Sequence, residues 1–277
     1  MRTRAITGFF FVIVMLASVL LGNYVFDVFY LLLSMLCLWE FYGLLKKSGA
    51  GPDQATGMLN GGLLYVVTAL ISMNYSDLPL FAFLLLLAPL LSVIFIQELY
   101  KKSERPFANI AYTLLGIIFT VLPFVFFHAM GYVKPYVNIF HGYNFHFPLA
   151  FLIMLWANDT GAYLVGMQLG RTKLFERHSP KKTWEGFIGG VLISAGAAYV
   201  ISLYYADLQW TEWVIMSLLI SCFGTLGDLV ESMFKRSIDV KDSGGILPGH
   251  GGLLDRFDGL LMAAPIVYTY LYFVVNS

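Results

Sequence analysis

The sequence is short of charge. Aspartate, glutamate, lysine and arginine make up 12% of its 277 residues, about half of the roughly 25% usual in a soluble domain. That shortage excludes a globule of this size surrounded by water. An excess of either sign is missing too, with 17 Lys+Arg against 17 Asp+Glu. A nucleic-acid partner would call for a basic surplus. Disorder would call for high net charge and low hydrophobicity, whereas this chain is 58% hydrophobic. Cysteine is scarce: Cys37 and Cys222 both lie in apolar runs and read as small buried hydrophobes. No zinc-type Cys/His spacing occurs. Walker A and Gly-x-Gly-x-x-Gly patterns are also lacking, which removes the usual soluble nucleotide folds. An all-α, polytopic integral membrane protein remains.

What is present is a succession of long apolar runs. One spanning helix takes about 20 residues, and nine runs are legible, at 6–21, 24–44, 57–73, 80–98, 108–130, 147–169, 186–205, 211–234 and 258–275. Gly22-Asn23 predicts a tight turn between the first two. The basic residues before the first run superficially resemble a secretory signal. No small-x-small cleavage site follows them, so a retained first helix is expected. Sixteen of the seventeen Lys and Arg fall on alternate loops, and only Lys134 lies on the other side. The positive-inside rule puts the rich side and the N-terminus in the cytoplasm and Asn276-Ser277 outside. Asn74-Tyr-Ser76 is a formal glycosylation triplet, too near the membrane to expect its use. No inverted repeat of the transporter type is evident. Near residue 150 acids enter the runs and the loops turn Gly- and Lys-rich. Residues 1–146 therefore read as a five-helix N-terminal region and 147–277 as a four-helix catalytic region.

Four acids lie inside the runs: Glu40, Asp159, Asp228 and Glu231. Each costs about 2.5–3.5 kcal/mol at a helix centre, so each needs a reason. Glu40, near Lys46, is expected to snorkel to the interface. Asp159 sits in Trp156-Ala-Asn-Asp-Thr-Gly-Ala-Tyr163, a polar cluster unsuited to lipid, continued by the small residues Ala162, Gly166 and Gly170. Asp228, Glu231, Ser232 and Lys235 recur at i, i+3, i+4 and i+7, one stripe of a helix. Glu231 and Lys235 have favourable spacing for an ion pair. That pairing leaves Asp228 unpaired, and an unpaired acid at depth is a ligand candidate.

Two loops on the basic side add to these acids. Ser179-Pro-Lys-Lys-Thr-Trp-Glu-Gly186 mixes hydroxyl, cation, aromatic and glycine too specifically for a plain lipid-headgroup anchor. Gly186 and Gly190 invite close helix approach. The second loop, from Lys241 to Asp258, holds five glycines between Gly244 and Gly252, raw material for an anion-binding nest of backbone N–H groups. Lys235, Arg236, Lys241 and Arg256 surround it, with His250 inside it. Asp255 and Asp258 stand at i and i+3 at a helix start, where either alone would serve as a cap. Asp228, Asp255 and Asp258 together offer hard oxygen ligands suited to Mg²⁺. Mg²⁺ beside cations suits a polyphosphate, and a site half in the bilayer suits a phospholipid. Phosphoryl or nucleotidyl transfer on a lipid is the expected chemistry.

The stretch from Ser232 to Asp258 resembles a known family motif: Ser-x-apolar-Lys-Arg, then Lys-Asp, then His-Gly-Gly-x-x-Asp-Arg-x-Asp. It is that of phosphatidate cytidylyltransferase, or CDP-diacylglycerol synthase. Asp159-Thr-Gly-Ala-Tyr163 and the segment 179–186 look like the family's other shared segments; the first half matches only as generic spans. The resemblance implies conversion of CTP and phosphatidate to CDP-diacylglycerol and pyrophosphate with Mg²⁺, with room for a second cation. It implies Asp228 and Asp255 as metal ligands with Asp258 close by, and catalytic duty for Lys235 and Arg256. Substrate contacts are implied for Asp159, Ser179, Lys181, Lys182, Ser232, Arg236, Lys241, Asp242, His250, Gly251 and Gly252. It also implies a bacterial inner membrane with the site facing the cytoplasm. Two rivals stand beside it: a CTP-dependent lipid-alcohol kinase, releasing CDP, and an ion-coupled transporter, whose acids would be spread across the membrane rather than gathered near one face. The small-residue stripes would allow a homodimer without requiring one.

Overall fold

The computed structural model describes residues 2–73, 85, 87–134, 142–177, 179–240, 243–244 and 251–276. Among the described residues it forms α1 (Arg2–Leu20), α2 (Asn23–Lys47), α3 (Gln54–Ser72), α4 (Leu87–Tyr100), α5 (Pro106–Met130) and α6 (His146–Leu169). A hairpin of β1 (Lys173–Phe175) and β2 (Ser179–Thr183) follows, then α7 (Trp184–Tyr204), α8 (Trp210–Ser237) and α9 (Leu254–Asn276). Seven helices, α2, α3 and α5 to α9, are long and apolar enough to cross a membrane. The other two carry shorter apolar stretches, Ile6–Leu20 and Ala88–Tyr100. The all-α membrane class expected from composition is what forms. The glycosylation triplet at Asn74 lies outside the described residues, as do Lys241, Asp242 and His250.

The chain divides into two compact units. One comprises Met1–Ala129 with Ile238–Asp255, the other Met130–Ser237 with Arg256–Ser277. In the first, the Gly22 turn adopts φ 103°, the left-handed region that glycine enters without steric cost. Asp53 caps α3 by accepting from Thr56 N at 3.1 Å. An aromatic core of Phe26, Tyr30, Phe124 and Phe127 is fully buried, with Tyr30 and Phe127 centroids 4.8 Å apart. Within α5, residues Ile117–Val121 form a π-helical turn. Just before it, Tyr42 Oη donates to the Thr113 carbonyl at 2.6 Å. A Cβ at Gly57 or Gly116 would strike that tyrosine ring.

The second unit is built on close helix approach. A Cβ at Gly190 would lie 2.7 Å from the Asn158 carbonyl oxygen, and one at Gly186 would lie 2.8 Å from that of Ala162. The small residues of α6 and α7 thus face one another, as membrane helices lacking a hydrophobic drive to associate require. The stretch before α7, expected as a loop, is instead the antiparallel hairpin, with Lys173 opposite Thr183 and Phe175 opposite Ser179. Counting its charges described its attraction to a membrane surface and said nothing of its backbone. One of the two cysteines also parts from expectation. Cys37 is buried, whereas Cys222 is exposed on α8, where an apolar neighbourhood in sequence is a lipid-facing surface in the fold.

Candidate active site

Glycine sets the geometry of the second unit's acids. Gly227 directly precedes Asp228 on α8. A Cβ there would collide with the Asp258 carbonyl oxygen on α9 and lie 3.1 Å from Gly259 Cα. The contact at this crossing brings Asp258 beside Asp228. Oxygens of Asp228, Glu231 and Asp258 all lie within 4.8 Å of one another.

Cations and donors hold these carboxylates. Lys182, on β2, forms an ion pair with Asp228, and Ser232 Oγ donates to Asp228 Oδ1 at 3.3 Å. Asp228 is therefore paired, contrary to the expectation from its own helix; its partner comes from the hairpin. Lys235 Nζ stands 2.6 Å from Glu231 Oε2, the i,i+4 pair anticipated from spacing. Asp258 Oδ1 accepts from Gly259 N at 2.7 Å. Asp159, on α6, lies within electrostatic range of Lys182, Asp228 and Arg256. Lys181, Arg236 and Arg256 are exposed, and Ser179 is half-buried at the start of β2.

The 179–186 segment explains how Lys182 comes to be presented. Thr183 Oγ1 caps α7 by accepting from Gly186 N at 3.2 Å. Glu185 Oε2 accepts from the Arg171 and Thr172 amides, each at 3.1 Å. Trp184 N donates to the Thr172 carbonyl at 2.9 Å. Thr183, Glu185 and Gly186 thus fix the base of the hairpin against the helix it precedes, and Lys182 projects from that base.

The first unit holds the other part of the motif. Asp255 Oδ2 accepts from Ser243 N and from Gly252 N, each at 3.1 Å. Gly251 has φ +85°, and a Cβ there would lie 2.6 Å from Asp255 Oδ2. Of the glycine amides expected as an anion nest, that of Gly252 is taken by the chain's own carboxylate; residues 245–250 lie outside the described residues. Glu40 does not snorkel. It is 5% exposed and accepts from Leu254 N at 3.0 Å and Ser243 Oγ at 3.3 Å. Its neighbour Lys46 bonds instead to Gln54 Oε1 at 2.7 Å.

Sequence reasoning missed Glu231 as a third member of the carboxylate cluster, although it shares a helical face with Asp228. It also missed Glu40's task, for which no local signal exists: its partners Ser243 and Leu254 lie 203 and 214 residues away.

Comparison with known proteins spans the whole chain. Residues 2–274 match the model of the cytidylyltransferase family. A phosphatidate cytidylyltransferase of Staphylococcus aureus (strain COL) is 34% identical over 273 residues, covering 96% of this chain and 97% of that protein. One of Bacillus subtilis (strain 168) is 34% identical over 279 residues, covering 97% and 96%. One of Staphylococcus epidermidis is 33% identical over 272 residues, covering 96% and 97%. With a carboxylate cluster and lysines set among membrane helices, and a match from Arg2 to Val274, the chain belongs to the cytidylyltransferase family.

Proposed function

We propose that this protein is an integral-membrane enzyme that transfers the cytidylyl group of CTP to phosphatidate, giving CDP-diacylglycerol and pyrophosphate. The site would face the cytoplasm of a bacterial membrane, where sixteen of seventeen cations are expected. The observation that carries the reading is the cluster of Asp228, Glu231 and Asp258, with Lys182 and Lys235 on it, in a chain matched throughout to cytidylyltransferases.

A phosphomonoester oxygen of phosphatidate attacks the α-phosphorus of CTP. A new P–O–P bond forms, the α–β phosphoanhydride breaks, and pyrophosphate leaves with its electron pair. The nucleophile comes with the substrate, so no side-chain nucleophile is needed. The barrier is repulsion between two anions. Lys182 and Lys235 supply positive charge at the cluster, and Arg256 offers the planar fork that suits phosphate oxygens. The acyl chains stay among the helices, which confines the headgroup and supplies proximity. Carboxylate oxygens so close together fit Mg²⁺, a hard cation that prefers oxygen ligands. Asp228 would hold it with Asp258 and Glu231; Asp255 enters the assignment through the motif. Bound there, Mg²⁺ supplies charge neutralisation on phosphate oxygens.

The test is purified protein in mixed micelles with phosphatidate, Mg²⁺ and each of the four nucleoside triphosphates. CDP-diacylglycerol and pyrophosphate in equal amounts, from CTP and not from the others, is the expected result. CDP as the released product would establish a lipid kinase instead.

A further inference from the structure

Glu40 is a buried acid of the first unit with no part in the chemistry proposed so far. It is a carboxylate within a membrane-spanning helix, and both of its oxygens are engaged by a segment more than 200 residues away. Oε2 accepts from Leu254 N, one of the amides that a helix start leaves without an internal partner. A negative charge there is also favoured by the dipole of α9. Oε1 accepts from Ser243 Oγ.

Ser243 faces two ways. Its hydroxyl is on Glu40, while its backbone N–H donates to Asp255 Oδ2 at 3.1 Å. Gly252 N donates to the same Asp255 oxygen at 3.1 Å. A Cβ at Gly244 or at Gly252 would collide with Glu40 Oε1. Two glycines of the glycine-rich segment are therefore explained by Glu40: they leave room for its carboxylate. Ser243, Gly244 and Gly252 pack against that acid, and the amides that aim Asp255 belong to two of these residues.

We propose that Glu40 is a positioning residue: a buried template that orders Ser243, Gly244 and Gly252 and, through Ser243, sets the direction of the Asp255 carboxylate. It acts through these residues and touches no reacting atom. The inference rests on the reading of Asp255 as part of the catalytic apparatus.

The test uses the full-length chain in lipid nanodiscs with Glu40→Gln, which keeps the side chain's shape while replacing one acceptor oxygen by a donor. Amide hydrogen exchange should quicken at Ser243, Gly252 and Leu254 and stay unchanged in α6 to α8. The kcat for cytidylyl transfer should fall about a hundredfold, the loss expected when a reacting group is misplaced by about 1 Å. KM for CTP should hold within about threefold, since misorientation weakens the transition state more than the ground state. Ser243→Ala, which removes the hydroxyl bridge and leaves Glu40 on Leu254, should give a smaller loss of the same kind; it carries the test alone if Glu40→Gln does not fold. Unchanged exchange at these amides would overturn the proposal whatever the activity. Quickened exchange with wild-type kcat would overturn the positioning role too. If the wild type itself makes no CDP-diacylglycerol, the functional reading fails, and the exchange arm still reports whether Glu40 orders the segment.

Discussion

Two pairs of acids, one pair from each unit, are held in different ways. In the first, Glu40 and Asp255 are met largely by backbone amides: Leu254 N on one, Ser243 N and Gly252 N on the other. In the second, Asp228 and Glu231 are met by Lys182 and Lys235. A backbone N–H is fixed by the fold and must find some acceptor when buried, so an acid matched to amides gains geometry and loses freedom. An ammonium on a four-carbon stem is a point charge that swings away at the cost of a few rotamers. An acid matched to lysines can therefore exchange its partner for another cation, and the lysine can then turn to an anion. The first arrangement suits positioning and the second suits chemistry.

The largest expected effect tests the second half of that contrast. Asp228→Asn should lower CDP-diacylglycerol formation by about a thousandfold or more, because a metal-binding carboxylate becomes a neutral amide. Mn²⁺ binding followed by electron paramagnetic resonance should weaken in parallel, with little change in thermal unfolding, since Lys182 can extend into solvent. Turnover near wild type would remove Asp228 from the metal site. Asp255→Asn should abolish activity similarly and, unlike Asp228→Asn, should also loosen the amides it now holds. Equal stability of the two variants would break the comparison. Arg256→Lys comes next, with a loss of at least about tenfold, because a planar bidentate phosphate contact is not reproduced by an ammonium. Retained activity would mean that Arg256 serves only to balance Asp255 or Asp258.

How much of this was legible in the sequence follows the same division. Class, helix positions and the polar stripe of α8 depend on periodicity and composition, which act over one or two turns. The Glu231–Lys235 pair was legible for that reason. The Lys182–Asp228 pair was not, because it depends on a hairpin whose base is set by Thr183, Glu185 and Gly186, a backbone feature that charge counting passes over. The meeting of Asp228 and Asp258 needed the contact at Gly227, and Gly227 reads in sequence as one more small residue. Glu40 was furthest from reach. Nearby Lys46 suggested a snorkelling acid, while its real partners are an amide and a hydroxyl supplied by the far end of the chain. The family motif located Asp255 without revealing that Ser243 and Gly252 orient it, since a motif carries residue types and not hydrogen bonds.

Asp207 offers the smallest effect and the cleanest separation of structure from chemistry. It lies between α7 and α8, is 3% exposed, and is held chiefly by side chains other than lysine. His146 Nδ1 is 2.6 Å from Oδ2, and Asn144 Nδ2 donates to Oδ1 at 3.0 Å. The Tyr205 ring stacks on His146 with centroids 4.0 Å apart. Burial pushes the Asp207 carboxyl up, but the hydrogen bond and charge of His146 and the Asn144 amide outweigh it and hold the carboxyl below its ordinary value. A lowered folded-state pKa means that the unfolded chain binds the proton more readily. The stabilisation is then complete above the unfolded carboxyl's titration, at about pH 4, and is lost as pH falls through the folded value. Asp207→Asn should cost about 1.5–3 kcal/mol of stability at pH 7, the size of a hydrogen bond to a charged group. Thermal unfolding in nanodiscs should show that gap closing as pH falls below the unfolded carboxyl's titration and through the lowered folded value. Cytidylyl transfer at pH 7 should be unaltered, because among the described residues the side-chain partners of Asp207 are His146 and Asn144, outside the carboxylate cluster. A gap that persists unchanged at low pH would show that packing rather than the charged carboxylate stabilises this loop. A fall in turnover would show that the division between acids that hold the fold and acids that do the chemistry is drawn too sharply.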